Sequence, residues 1–314
     1  MLGRKLTRRL LGDGALGNQP ITALHLYDMV APAAGPDHDA NVTLHAHTAD
    51  LGQANTADEI AALNAEVVFH LAGVVSGEAE QDLAKGMRVN LDGTRQLFDA
   101  LGAAPKTPRV VFTSSLAVYG APLPDPVPDD FHLTPATSYG TQKAIGELLL
   151  ADYTRRGLVD GVGVRLPTIS VRPGLPNAAA SGFFSGIIRE PLAGMAATLP
   201  VAPDLVHTHA SPRTAVNYLV HAAQLPSDAL EGRPNLTMPG VGVSVAEQLS
   251  ALRRVAGDEV ADLVEYHPDP FIESIVSTWP ARFVAARAEA LGFVADPDYD
   301  TIIRTYINDD QPQS

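Results

Sequence analysis

Short apolar runs rich in Val, Ile and Phe alternate, through the first half of the chain, with segments whose apolar positions recur every three or four residues. The runs predict strands and the periodic segments predict helices. The predicted strands are Ile21 to Tyr27, Asn41 to Ala46, Val67 to Ala72, Val110 to Ser114 and Val162 to Ser170. Because helices separate them, right-handed crossovers should join them into an α/β, Rossmann-type doubly wound parallel sheet, with the ligand at its carboxyl edge.

The pattern changes after Val171, where a Pro/Gly-rich segment precedes helix patterns at Arg213 to Gln224 and Val245 to Ala256. We therefore predict a Rossmann domain in residues 1–171 and mainly a smaller substrate-binding domain in residues 172–314, partly interleaved with the first. The chain begins with leucines spaced four apart, which predict an amphipathic helix rather than a targeting peptide.

Composition excludes several classes of protein. A net charge of −14 and the lack of a basic cluster argue against nucleic-acid binding, and no apolar run reaches the roughly 18 residues of a membrane span. Without cysteine there are no disulfides or thiolate sites; a cytoplasmic protein fits. The pairs His45/His47 and His207/His209 could bind a metal, but we expect no metal, because no carboxylate stands at a customary ligand spacing.

The segment SYGTQK places Tyr139 four residues before Lys143. On a helix these positions share one face, so a phenol and an ammonium can address one site. Ser114 and Ser115 end the preceding predicted strand, where a hydroxyl points into the ligand crevice. By itself the Tyr/Lys spacing also arises by chance in amphipathic helices.

Acidic residues close the predicted strands on the other side of the sheet. Asp28 follows strand Ile21 to Tyr27, where a carboxylate can bind the adenosine ribose hydroxyls and repel a 2′-phosphate, which favours NAD over NADP. Asp50 could bind the adenine amino group while Leu51 packs on the ring. The alternative for both carboxylates is that they simply close a strand or turn.

Small side chains follow the third predicted strand. Leu71, Ala72 and Gly73 in HLAGVVSG would let the backbone approach a dinucleotide closely. Ser76 lies slightly further on and could reach a polar substrate, or could be an ordinary loop hydroxyl.

These features occur in the order Asp28, Asp50-Leu51, HLAG, VNLDGT, SSLAVYG, SYGTQK and ALGF. That order resembles the extended short-chain dehydrogenase/reductase family, whose members are NAD-dependent epimerases, dehydratases and dehydrogenases. The resemblance implies that Tyr139 is the general base, that Lys143 holds the nicotinamide ribose and lowers the Tyr pKa, and that Ser115 orients the substrate hydroxyl. It also implies that Asn90 contributes to cofactor binding.

The start of the chain departs from the family pattern. Leu2 and Gly3 resemble the last part of the glycine-rich turn, without the first strand and most of the amides that bind the pyrophosphate. We expect the natural protein to carry roughly 10 to 15 further residues, enough for one strand and a turn.

Within the family, HLAGVVSG, SYGTQKAIGELLLADY and RLPTISVRPG imply NAD-dependent oxidation of a secondary hydroxyl in a small sugar acid, with D-erythronate oxidised at C2 to a 2-oxo acid. A carboxylate substrate calls for a guanidinium. The candidates are Arg172, Arg189 and Arg213, with Thr168 and Asn177 as further substrate residues. The resemblance also implies a homodimer, formed through the helices of VNLDGT and SYGTQK.

Two alternatives remain. An epimerase for nucleotide sugars or heptoses would use the same Tyr, Lys and Ser but would retain its NAD and return the hydride. A catalytically impaired scaffold would act as a binding protein.

Overall fold

The computed structural model describes residues 1–32, 42–174 and 181–311. The helices are α1 Leu2–Asp13, α2 Ala54–Ala62, α3 Ser76–Gln81, α4 Leu83–Gly86, α5 Gly93–Gly102, α6 Ser138–Arg155, α7 Gly182–Leu192, α8 Pro212–Gln224, α9 Val245–Ala256, α10 Asp258–Ala261, α11 Pro270–Val276, α12 Ala286–Ala290 and α13 Tyr299–Asp309, and a π-helical turn covers Met87–Asp92.

The strands are β1 Ala15–Leu16, β2 Gln19–Pro20, β3 Ala23–Asp28, β4 Thr43–Thr48, β5 Val67–His70, β6 Arg109–Ser115, β7 Asp160–Leu166, β8 Thr168–Ile169, β9 Ala197–Leu199, β10 Val206–Ala210, β11 Asn235–Thr237, β12 Val241–Ser244 and β13 Val264–Tyr266. The alternation of strands and helices confirms the predicted α/β class. The fourth strand is one residue longer at each end than predicted, and the first two begin and end later in the chain.

The central sheet has the order β11-β7-β6-β5 and all its pairs are parallel. Its strands are apolar on both faces because helices cover both. Val111 packs on the side of α1 and α8, whereas its neighbours Val110 and Phe112 pack on the side of α5 and α6. In α1, Leu6 and Leu10 are buried in the first of these cores, which confirms the predicted amphipathic helix.

β3 and β4 form a separate parallel pair. In a doubly wound sheet the first strand lies between the strands that correspond to β3 and β5. Within residues 1–32, 42–174 and 181–311, no strand pairs with the free edge of β3 or of β5.

The predicted strand Val162 to Ser170 is wrong in its second half. β7 ends at Leu166, and Thr168–Ile169 pairs with β10 in a different sheet, of order β12-β10-β8. Pro167 lies at the break because it has no N–H to donate to a ladder. The chain therefore leaves the central sheet immediately after the end of β7.

The part of the chain after residue 171 has its own core, formed chiefly by α7, α9 and α13. Phe184, Ile187, Leu252 and Ile302 are fully buried there. The predicted helix Val245 to Ala256 is confirmed, and a capping box between Ser244 and Glu247 begins it. β11 returns to the central sheet from this part of the chain. No described helix is both long and apolar enough to cross a bilayer.

Candidate active site

The site lies where β6 ends and α6 begins. Thr137 caps α6, accepting a hydrogen bond from the Gly140 N–H at 3.1 Å. A Cβ on Gly140 would lie 2.1 Å from the Ala117 carbonyl oxygen, so only glycine lets the helix approach the turn after β6 this closely. The close approach brings Tyr139, the second residue of α6, near Ser115, the last residue of β6, so that the Ser115 hydroxyl acts on the pKa of the phenol.

Tyr139 is neutral in the protein alone. Burial raises its pKa to about 12, while the Ser115 hydroxyl and the positive charge of Arg172 act in the opposite direction. In the protein without cofactor, desolvation of the phenolate thus outweighs the effects that lower its pKa. The expected lowering of the Tyr139 pKa by Lys143 stays a prediction.

Lys143 lies between β6 and the Tyr139 ring. Its Nζ donates to the Thr113 carbonyl oxygen at 2.8 Å and stands 5.8 Å from the centroid of the Tyr139 ring. A Cβ on Gly73 would lie 3.7 Å from this Nζ, so the small-residue loop after β5 borders the ammonium. Burial lowers the pKa of Lys143 to about 8, and Glu147 opposes that change.

A buried ion pair lies one helical turn beyond Lys143. Glu147 is bound by Arg165 through three hydrogen bonds of 2.7 to 3.1 Å, and Ser114 donates to the same carboxylate at 2.5 Å. Arg165 also donates to the Tyr119 hydroxyl at 2.5 Å. Of the two predicted serines, Ser114 thus faces the protein interior and only Ser115 meets Tyr139, as strand alternation requires.

Asn90 fixes the loop after β5. Its Oδ1 accepts from the Val74 N–H at 2.7 Å, and its Nδ2 donates to the Val74 carbonyl at 3.1 Å and to Gln142 Oε1 at 2.8 Å. Both amide protons are thereby used, so Asn90 holds the border of the site rather than offering a free donor. Ser76 begins α3 just beyond this loop and is partly buried.

The three predicted arginines have different surroundings. Arg189 pairs with Glu190 at 2.5 Å, and Arg213 pairs with Asp309 at 2.5 Å at the surface. Arg172 has no carboxylate partner among the described residues; its guanidinium donates to Ser181 at 2.8 Å.

Burial and the neighbouring Arg189 lower the pKa of the Arg172 guanidinium, whereas Tyr139 raises it. Of the three arginines, Arg172 is thus the one whose charge lowers the pKa of Tyr139. Of the further predicted substrate residues, Thr168 hydrogen-bonds His207 at 2.7 Å, and Asn177 lies outside the described residues.

The paired histidines contact other protein side chains. His207 and His209 are buried and hydrogen-bonded. His45 and His47 lie on one face of β4 as predicted, where both stack with His25. Over residues 1–32, 42–174 and 181–311, no three His or acidic residues converge as a metal site would require.

Residues 1–205 match the NAD dependent epimerase/dehydratase family. The chain belongs to this family. D-erythronate dehydrogenase of Cupriavidus necator is 50% identical over 98% of this chain and 95% of its own length. D-erythronate dehydrogenase of Haemophilus influenzae is 40% identical over 98% of this chain and 96% of its own.

A solved structure described as a nucleoside-diphosphate-sugar epimerase from Agrobacterium tumefaciens superposes with a TM-score of 0.94. It is 51% identical and covers 98% of this chain and 91% of its own. The expected family, fold class and NAD cofactor are thereby confirmed for this member of the epimerase/dehydratase family.

The described residues suit the nicotinamide end of NAD, which the family requires. Lys143 can offer its remaining N–H bonds to the ribose hydroxyls, and the exposed backbone of Ala72 and Gly73 lies beside it. The roles of Tyr139 and Ser115 toward the substrate stay predictions.

The adenosine end is assembled less completely. Asp28 is exposed at the end of β3, close enough to the Met1 amino group at the start of α1 to oppose the lowering of its pKa by burial. Leu2 and Gly3 begin that helix, and a Cβ on Gly3 would meet nothing within 4 Å, which leaves room for a phosphate. The roles of all three residues stay predictions.

Asp50 is already engaged. Arg88 donates to it at 2.7 Å and the Gly52 N–H at 2.8 Å, and these bonds lower the pKa of the Asp50 carboxyl despite the opposing effect of burial. An adenine amino group would share this carboxylate with Arg88. Leu51 is buried, and Gly93 lies so close to it that a Cβ on Gly93 would be 2.9 Å from the Leu51 carbonyl oxygen. Leu71 packs against the core that contains the buried leucines of α1.

Sequence reasoning missed Glu147 and Arg165. The signal was available in part, since Glu147 follows Lys143 by four residues and therefore lies on the same helix face. Its partner on β7 could not be recognised, because that contact depends on which strand packs beneath α6.

Proposed function

We propose that this chain oxidises D-erythronate at C2 to the 2-oxo acid, with NAD as the hydride acceptor. The observation that carries the proposal is the meeting of Ser115, Tyr139 and Lys143 beside Arg172, a guanidinium without a carboxylate partner among the described residues. Two relatives named as D-erythronate dehydrogenases, at 50% and 40% identity, support the choice of acid.

Each side chain has one task. Arg172 binds the substrate carboxylate through its planar fork. Ser115 and Tyr139 hold the C2 hydroxyl, and Tyr139 takes its proton as a hydride leaves C2 for the nicotinamide. Lys143 holds the ribose and supplies positive charge at the Tyr139 ring.

Tyr139 must ionise for this step, although burial sets its pKa at about 12 in the protein alone. An oxidised nicotinamide adds a positive charge beside the phenol, which favours the phenolate. We therefore expect the pKa of Tyr139 to be lower in the NAD complex than in the free protein.

The test is NADH absorbance with a panel of C4 to C6 sugar acids. The parent should turn over D-erythronate best, and Tyr139→Phe should lower the rate by at least about 100-fold, the contribution of one general base. Tyr153→Phe is the matched control, since Tyr153 lies on the same helix but bonds Asp99 away from the site. Equal rates for Tyr139→Phe and the parent would remove Tyr139 from the role of base.

An epimerase is the second candidate, because the 51% identical structure is described as one. Net NADH distinguishes the two reactions, since an epimerase returns the hydride to its product. Conversion of a nucleotide sugar without NADH accumulation would favour the epimerase. A binding scaffold is the remaining alternative, and undetectable NAD binding by calorimetry would favour it.

We also propose a homodimer in the cytoplasm. Large apolar side chains are exposed on α4, the π-helical turn and α6, namely Leu83, Met87 and Leu148 with 58%, 37% and 64% of their surface accessible. Exposed apolar surface of this kind is typical of a protein interface when it is contiguous. Light scattering should give twice the mass of the chain, and Leu148→Glu should give monomers, whereas Val294→Glu, at a still more exposed site elsewhere, should not.

A further inference from the structure

Helix α7 carries a polar stripe along one side. Ser181, which caps the helix, Ser185 and Arg189 recur every four residues, so their side chains lie above one another on the same side of α7. The core of the second half of the chain takes a different side of the helix, on which Phe184 and Ile187 are fully buried. The three polar side chains are thus not needed to fill this core.

All three side chains of the polar stripe bind one residue, Arg172. The Ser185 hydroxyl accepts a hydrogen bond from the Arg172 backbone N–H at 3.0 Å. Arg189 Nη1 donates to the Arg172 backbone carbonyl at 2.8 Å. The Ser181 hydroxyl accepts from the Arg172 guanidinium at 2.8 Å. The backbone of Arg172 is therefore fixed on both sides by α7, and its side chain is fixed by the residue that caps the same helix.

Arg172 is held by these side chains and not by a sheet. β8 ends at Ile169, and the Ser170 N–H still donates to the Ala210 carbonyl at 3.0 Å. Two residues later, the backbone N–H and carbonyl of Arg172 both bind side chains of α7 instead. The next residue is Pro173, which has no N–H to donate to a neighbouring strand. The position of Arg172 therefore depends on α7.

The polar stripe is buried, and its charge is balanced. Ser185 is 1% exposed, and the side chain of Arg189 is 11% exposed. Hydrogen bonds are electrostatically stronger in such surroundings than in water. Arg189 pairs with Glu190 at 2.5 Å, so the cation that binds the Arg172 carbonyl has its own counter-ion. The Arg172 guanidinium is thereby left without a carboxylate partner among the described residues.

We propose that Ser185 and Arg189 are positioning residues for substrate binding: by holding the backbone of Arg172, they direct its guanidinium toward the substrate carboxylate. The proposal rests on the proposed function, in which Arg172 binds that carboxylate. A guanidinium has five N–H bonds, and Ser181 accepts one of them in the described part of the chain. Fixing the backbone and one N–H lowers the conformational entropy that the long Arg172 side chain loses when it binds the acid.

The first experiment is a double-mutant cycle on kcat/KM for D-erythronate. Arg189→Met should lower kcat/KM about 10-fold, the effect of a lost hydrogen bond from a charged donor, mainly through KM and with unchanged NAD affinity. Arg189→Lys, which keeps a donor for the Arg172 carbonyl, should restore most of the loss. In the Arg172→Met background, Arg189→Met should have little further effect, because the residue that it positions is gone. Equal losses in both backgrounds would overturn the proposal.

A second set of variants separates positioning from stability. Arg189→Met leaves the Glu190 carboxylate without its cation, which lowers stability; adding Glu190→Gln removes that charge and should restore stability to urea without restoring KM. Ser185→Ala removes the acceptor of the Arg172 N–H and should raise KM about 2- to 10-fold. Its control is Ser250→Ala, at an exposed serine of α9, which should leave KM unchanged. A double variant that regains the parent's KM together with its stability would contradict the proposal.

The third measurement does not depend on activity. NMR hydrogen exchange on protein labelled with ¹⁵N-arginine, with Arg172→Met for assignment, reports how well the Arg172 amide is protected. Ser185→Ala should make this amide exchange at least about 10-fold faster, while the amide of Arg165, in the ladder of β7 with its neighbours, should not change. An Arg172 amide that exchanges equally fast in the parent and in Ser185→Ala would overturn the proposal. If no sugar acid is oxidised, the proposed function fails, while the exchange rates still decide whether α7 holds Arg172.

Discussion

Replacing Glu147 by Gln tests how the protein keeps Lys143 charged. Glu147 is the group that opposes the lowering of the Lys143 pKa by burial. Its side chain is 1% exposed, and its partner Arg165 is 10% exposed. The amide keeps the size of the side chain but removes the negative charge, so Arg165 is left as an uncompensated buried cation.

The expected magnitudes follow from this burial. Breaking a buried ion pair by neutralising one partner costs about 3–5 kcal/mol of folding free energy. The pKa of Lys143, about 8 in the parent, should fall further, by one pH unit for each 1.4 kcal/mol of lost attraction. The ammonium would then be partly deprotonated at neutral pH.

The assay is NAD affinity measured by calorimetry from pH 6 to pH 9. In the proposed site the charged Lys143 binds the ribose, so NAD affinity should fall as pH rises through the pKa of Lys143, and this fall should occur at lower pH in Glu147→Gln. Asp160→Asn is the matched control. Asp160 pairs with Arg109 at 2.6 Å at the start of β6 and β7, the end of these strands that is far from Ser114 and Arg165. Its neutralisation should lower stability without moving the pH profile of NAD affinity.

A Glu147→Gln protein that is less stable but keeps the parent's pH profile would contradict a role of Glu147 in keeping Lys143 charged. The ion pair would then serve the fold alone.

Two further predictions concern binding and stability. Arg172→Met should raise KM for the sugar acid about 10- to 100-fold, as expected for a lost charged hydrogen bond, and should leave NAD affinity unchanged. The control Arg213→Met should change neither KM nor NAD affinity. Equal effects of the two variants on KM in steady-state kinetics would contradict the proposal that Arg172 binds the substrate carboxylate. Burial lowers the pKa of His70 to about 3, that of His207 to about 4 and that of His209 well below 6.5. Between pH 6.5 and 4 the unfolded chain therefore binds more protons than the folded one. Urea unfolding should show that the free energy of unfolding falls by about 1.4 kcal/mol for each histidine with every pH unit by which the pH is lowered. A constant free energy of unfolding from pH 7 to 5 would contradict this prediction.

The fold was largely predictable because its signals are local. Strands buried on both faces appear as apolar runs, and the helices around them appear as periodic segments. The run from Val162 to Ser170 misled for a physical reason: strand propensity does not say which sheet a strand joins, and only the tertiary structure shows that Thr168 pairs with β10.

The candidate site was predictable only in part. Motif spacing was enough to bring Tyr139, Lys143 and Ser115 together. The distinction between Arg172 and Arg213 was not predictable, because it depends on Asp309, a carboxylate 96 residues from Arg213 along the chain. The pKa of Tyr139 likewise depends on burial, which no single motif specifies.

In the proposed reaction Tyr139 takes the C2 hydroxyl proton while the C2 hydride goes to NAD. The most direct measurement uses D-erythronate deuterated at C2 and follows the deuterium by NMR. The parent should move the label to C4 of the nicotinamide with formation of one 2-oxo acid, and Tyr139→Phe should nearly abolish this transfer. Label that remains on the carbon chain without NADH accumulation, or transfer that survives in Tyr139→Phe, would contradict it.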